Sequence, residues 1–142
     1  GWRVGWLALP EELLRPIERL QQNLFICAPA VSQVAANAAF SCHVELEKLV
    51  TKYRKNRDFL LKHLPSAGFD RFAPADGAFY IYADISSHSK NSKKFCRDIL
   101  QTTGVALTPG YDFDPNNGNQ FVRISYAEAP SVIEQAVDQL KK

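Results

Sequence analysis

Phe121-Val122-Arg123-Ile124-Ser125-Tyr126 alternates like a half-buried strand, with Val122, Ile124 and Tyr126 on one face and Phe121, Arg123 and Ser125 on the other. A guanidinium set inside such an apolar run must find an anion or another strong acceptor, and its fixed fork of donors suits a carboxylate. Two acceptors fit the residue type: a structural Asp or Glu at the edge of a sheet, or a carboxylate brought by a ligand. The stretch therefore predicts a strand and makes Arg123 the first candidate for chemistry.

Working outward, the same chain region reads as mixed helix and strand. Asp112 to Asn119 (DFDPNNGN) is turn-rich and is predicted to be a loop. Val105-Ala106-Leu107 is predicted as a short strand, preceded by a helix with Phe95, Cys96, Ile99 and Leu100 on its inner side. Further back, Phe79, Ile81, Ala83 and Ile85 alternate with Tyr80, Tyr82 and Asp84 in a second strand. After the Arg123 strand, Pro130 opens a helix whose Ile133, Ala136, Val137 and Leu140 recur at helical spacing. Residues 68–142 thus form a compact α+β unit.

The preceding part is helical. Leu46, Leu49, Val50, Tyr53, Leu60, Leu61 and Leu64 keep a helical period up to the stop at Pro65-Ser66-Ala67-Gly68. A shorter helix begins near Pro29 and carries Ala35, Ala36, Ala38 and Ala39, with Asn23, Ser32 and Gln33 expected to make capping and turn hydrogen bonds before and within it. Residues 29–67 read as a helical connector. Val4 to Leu9 is predicted as one buried strand, and Pro10-Glu11-Glu12 as the start of a helix with Leu13, Leu14, Ile17 and Leu20 on one stripe.

Composition bounds the function. A chain of 142 residues with 46% apolar content holds one domain, or one domain and part of another. The net charge of +2 comes from scattered charges, and Lys52-Arg54-Lys55-Arg57 and Lys90-Lys93-Lys94 are solvated helix faces. Neither nucleic acid nor membrane is expected as a partner. Three cysteines, Cys27, Cys42 and Cys96, have no paired spacing and are expected to be free, mostly buried thiols in a reducing, cytoplasmic setting. His43, His63 and His88 stand alone, so no metal site is expected, and neither a nucleophile elbow nor a phosphate-cradling glycine loop is present.

Four pieces of the chain, Gly1-Trp2-Arg3-Val4-Gly5-Trp6, Pro74 to Tyr80 (PADGAFY), Pro109-Gly110 and the Arg123 strand, occur in the order and rough spacing of the class I/II aminotransferases that use pyridoxal 5'-phosphate. The whole chain resembles the C-terminal portion of these aspartate aminotransferase-like enzymes of fold type I. The resemblance implies that residues 1–28 are a remnant of a large α/β cofactor-binding domain, that 29–67 connect the domains, and that 68–142 are the C-terminal small α+β domain. It implies amino-group transfer between an amino acid and a 2-oxo acid through pyridoxal phosphate, by a homodimer. Arg3, in the GxRxG element, takes the family position that contacts the cofactor phosphate. Arg123 takes the position that binds the substrate α-carboxylate. The catalytic lysine of the family lies a few residues before the GxRxG element, hence upstream of Gly1, and the chain contains no methionine. A fragment so placed is expected to be inactive alone and to hold no cofactor.

Phe79 and Tyr80 are expected to pack between domains or in the core. Tyr111 and Phe113 follow Pro109-Gly110 where the family usually has a Phe-Gly pair, and Asp114-Pro115 stands in place of that glycine. Other chemistries of the same scaffold, β-elimination or decarboxylation, are alternatives, as is a non-catalytic module that binds small carboxylates or another chain.

Overall fold

The computed structural model describes residues 1–141 and divides into two units, Gly1–Glu47 and Lys48–Lys142. In the first unit, helix α1 (Glu11–Leu24) follows Pro10, with Glu11 and Glu12 in its first turn. Helix α2 (Ala30–Ala39) follows Pro29 without a side-chain cap. Asn23 instead donates to the carbonyl of Arg19 at 2.7 Å and Gln33 to that of Ala28 at 2.8 Å.

One expectation for this unit does not hold. Val4 to Leu9 forms no strand, because a single run has no ladder partner among the described residues of its unit. The Leu13, Leu14 and Leu20 stripe of α1 is exposed in this unit.

Helix α3 (His43–His63) starts in the first unit and has most of its length in the second. Its periodic apolar face carries it to a 3₁₀ turn at Leu64–Ala67, and Gly68, at φ +89°, closes the turn in the left-handed conformation a glycine tolerates. Strand β1 (Tyr80–Asp84), helix α4 (Ser92–Thr103), strand β2 (Thr108–Pro109), strand β3 (Phe121–Ser125) and helix α5 (Pro130–Leu140) follow. The expected Val105–Leu107 strand is displaced to Thr108–Pro109, since the chain leaves α4 through Gly104 at φ +74° and only then meets β3.

The sheet is antiparallel with order β1-β3-β2, so the Arg123 strand is central. Its register sets Tyr82 of β1 and Thr108 of β2 on either side of Arg123. On the inner face Ile81, Ala83, Val122 and Ile124 pack with Leu60, Leu64, Ile133 and Val137 from the helices. Each fully buried Val, Leu or Ile side chain of this set stabilises the unit by about 1.5–3 kcal/mol. Of the α4 residues expected inside, Cys96 is buried and Leu100 is exposed. The thiols also differ from expectation, Cys27 being exposed, Cys42 half-buried and only Cys96 buried.

Beyond the edge of β1, Phe72 bridges Ala83, while the amide of Ala73 donates to the Tyr82 carbonyl and that of Asp84 to the Arg71 carbonyl, each at 2.9 Å. Asn56 is buried in α3 and donates through Nδ2 to the carbonyls of Tyr126 at 2.9 Å and Glu128 at 3.0 Å, fastening the helix to the end of β3.

Candidate functional site

The outer face of the sheet is built by the alternation that buries its inner face. Side chains of Tyr80 and Tyr82 from β1, Thr108 from β2, and Phe121, Arg123 and Ser125 from β3 share it. Arg123 lies at its centre. The Tyr82 ring stacks on Phe121 with centroids 4.9 Å apart and planes 8° from parallel. This stacked pair fills the surface beside the guanidinium.

The guanidinium itself has little to bind within the unit. Its Nη2 donates to Thr108 Oγ1 at 3.4 Å, a long and therefore weak bond, and its Nε is buried without an acceptor among the described residues. Among the described residues no carboxylate forms an ion pair with it. The acidic side chain that the sequence left open as a structural partner is thus not found, and the strand is central rather than at an edge. Buried donors are normally satisfied, so an arginine left with its fork unspent is set up for an acceptor from outside. The Tyr80 ring lies 5.5 Å and the Phe113 ring 4.7 Å from its central carbon.

Phe113 comes from the loop that joins β2 to β3, and this loop is closely built. Gly110 and Gly118 meet backbone to backbone, and a Cβ on Gly110 would lie 2.6 Å from the Gly118 carbonyl oxygen. The amides of Phe113 and Asp114 donate to the Gly110 carbonyl at 2.9 and 3.0 Å. Asp114 Oδ1 accepts from the amides of Asn116 and Asn117 at 2.9 and 3.1 Å, which holds its carboxyl below the usual range, the Asn117 amide contributing most. Burial, with Asp114 as a second cause, raises the Tyr82 phenol above its ordinary value. Nothing in the sequence beyond a turn-rich composition announced this Gly110–Gly118 contact, nor Thr108 as a neighbour of Arg123.

Phe79 and Tyr80, expected to pack between domains or in the core, are both exposed in this unit, at right angles to each other with centroids 5.8 Å apart. Arg3 lies in the first unit, exposed, with a positive φ of 56°. Among the described residues it has no ion-pair partner. A free, delocalised cation of this kind fits a dianionic phosphate. The two arginines therefore belong to different units, and each is defined within its own. Among the described residues no group of three potential ligands is placed to hold a metal ion, and no helix is long and apolar enough to cross a membrane.

A family model described as aminotransferase class I and II matches residues 1–140. The valine–pyruvate aminotransferase of Mycobacterium tuberculosis is 46% identical over 139 residues, which are 96% of this chain and 36% of that protein. The (5-formylfuran-3-yl)methyl phosphate transaminase of Methanocaldococcus jannaschii is 34% identical over 144 residues, covering 100% of this chain and 38% of that one. A crystal structure of an aminotransferase from Mycobacterium tuberculosis superposes with a TM-score of 0.87 at 44% identity, over 99% of this chain and 37% of that chain. This chain thus spans little more than a third of the length of these relatives.

Proposed function

The chain belongs to the class I and II aminotransferases, and from that premise we propose that it is the C-terminal part of a pyridoxal-phosphate enzyme that moves an amino group between an amino acid and a 2-oxo acid. On this reading Arg123 binds the α-carboxylate of the substrate and Arg3 the phosphate of the cofactor. The observation that carries it is the Arg123 guanidinium, central on an aromatic sheet face, with a buried Nε that has no acceptor and with no acidic partner among the described residues.

The division of labour follows from the residues. Bound pyridoxal phosphate supplies the electron sink that makes bonds at the substrate Cα labile. Arg123 holds the carboxylate through its fork of donors, and a carboxylate fixed at two oxygens fixes the direction of the bonds at the neighbouring carbon. Thr108 and the flanking rings limit where the guanidinium lies. Arg3 anchors the far end of the cofactor by neutralising its phosphate. The lysine that moves the proton is placed by this reading before Gly1, with residues 1–28 part of the cofactor domain, 29–67 the connector and 68–142 the small domain. Trp6, Leu24, Phe25 and Ile26, all exposed in the first unit, support a homodimer or a larger fold around it.

The test is to titrate pyruvate into the 142-residue chain and into its Arg123→Lys variant, following amide and arginine side-chain signals by NMR. Binding on the order of millimolar is expected, weakened severalfold by the substitution, because lysine cannot present two fixed donors. Equal binding by both would overturn the role of Arg123. Added pyridoxal phosphate and an amino donor should give no turnover by the isolated chain, and robust turnover would overturn the placement of the lysine.

A further inference from the structure

Phe113 is a large apolar side chain left 53% exposed, outside the buried core of its unit. Burial does not account for its position. The loop that carries it is nonetheless held at several points: the Gly110–Gly118 contact, the two amides on the Gly110 carbonyl, the Asp114 turn, and the Gly118 amide on the Asp114 carbonyl at 2.8 Å. What this construction places is an aromatic face 4.7 Å from the central carbon of Arg123.

The arginine needs such a constraint. Its side chain has four rotatable bonds, and among the described residues its hydrogen bond to Thr108 is long and its Nε has no acceptor. Without a second restraint the guanidinium plane would wander, and a fork that wanders loses the geometric benefit of two parallel hydrogen bonds to one carboxylate. An aromatic face attracts a delocalised cation and prefers to lie against its plane.

We propose that Phe113 is a positioning residue, whose ring, fixed by the Gly110–Gly118 loop and assisted by Tyr80, sets the plane in which Arg123 meets a carboxylate. The proposal rests on the carboxylate role of Arg123, and the two are separable by experiment. The ring acts on the arginine and needs no contact with the ligand.

The test compares the 142-residue chain with Phe113→Leu, Phe113→Trp and Arg123→Lys, using pyruvate as the probe. Leucine keeps an apolar side chain on the loop and removes only the ring. The Arg123 Nε–Hε signal of the free chain, assigned by its loss in Arg123→Lys, reports the ring directly. In Phe113→Leu it should move downfield as the ring current is lost and exchange faster with water. Pyruvate affinity should fall about threefold to tenfold in Phe113→Leu, the size expected for one partly exposed cation–π contact, and return in Phe113→Trp. An unchanged Nε–Hε signal in Phe113→Leu overturns the proposal. So does a changed signal with unchanged pyruvate affinity, or a loss that tryptophan does not restore. If pyruvate binding is absent, or is indifferent to Arg123→Lys, the carboxylate role falls, while the Nε–Hε comparison still decides whether Phe113 places the guanidinium.

Discussion

Replacing Gly110 by alanine perturbs the point on which the β2–β3 loop closes. The added Cβ would lie 2.6 Å from the Gly118 carbonyl oxygen, 2.6 Å from the Tyr82 hydroxyl and 2.7 Å from the Phe121 carbonyl oxygen. Unstrained carbon contacts begin near 3.5 Å, so each neighbour must give by most of an ångström. Two of the three are backbone atoms of ordered segments and cannot rotate away as a flexible side-chain tip would. Overpacking of this kind costs about 1–3 kcal/mol. For a small unit with a urea m-value of about 1 kcal/mol/M, the midpoint should fall by about 1–3 M. The assay must follow the second unit. Both tryptophans, Trp2 and Trp6, lie in the first, whereas Tyr53, Tyr80, Tyr82, Tyr111 and Tyr126 all lie in the second, so near-ultraviolet tyrosine dichroism is the proper probe. Gly77→Ala is the control, because a Cβ there meets nothing within 4 Å. Adding Gly118→Ala to Gly110→Ala should cost less than the sum of the two, since both break one contact. A Gly110→Ala chain within about 0.5 kcal/mol of the parent, the range of ordinary surface changes, would refute the reasoning.

Asn56→Ala should cost about 1–3 kcal/mol, because it strips the donor from the buried Tyr126 and Glu128 carbonyls, and urea unfolding of the second unit measures it. Burial, with Asp112 adding to it, pushes the Cys96 thiol from its usual 9.0 to about 11. A pKa raised by folding contributes stability that is whole below 9.0 and is lost as pH rises through about 11, so unfolding midpoints across that window should drop in the parent and flatten in Cys96→Ala. The Asp114 carboxyl shifts the other way, so the loop's contribution is present above the usual 3.8 and fades as pH falls below it. The amide signals of Asn116 and Asn117 should move together in that acid range, and should lack the transition in Asp114→Asn.

The alternation in Tyr80 to Ile85 and in Phe121 to Tyr126 was legible because one face of each strand is buried completely, which leaves no freedom in assigning sides. The end of the helical period was legible for the same reason, Leu60 and Leu64 being buried and a glycine at positive φ terminating the run, whereas Leu46, Leu49 and Val50 keep the period and are exposed. Arg123 was legible as an outlier in an apolar run. Its surroundings were not, since Thr108 and Phe113 reach it through pairing and loop closure between residues that no local pattern connects. Asn56 sits among apolar positions of α3, and only its partners Tyr126 and Glu128, far along the chain, distinguish it from a surface residue. Val4 to Leu9 has the composition of a strand, and composition alone does not supply a neighbour to pair with. Ala78 adopts a positive φ of 59° beneath the Tyr126 hydroxyl, which donates to the Gly77 and Ala78 carbonyls, a conformation that alanine does not advertise.

The sheet has two outer borders, and each is closed by different means. Along β1 the Arg71 to Ala73 segment takes up main-chain groups that would otherwise face outward. Along β2 the border is only two residues long and one of them is Pro109, which has no amide hydrogen to offer. A foreign strand therefore finds no continuous template for cross-β stacking on either side. Precipitation of this protein in a concentrated or newly synthesised state should accordingly start from its exposed apolar side chains, and surface charge substitutions there should relieve it without any change to the sheet.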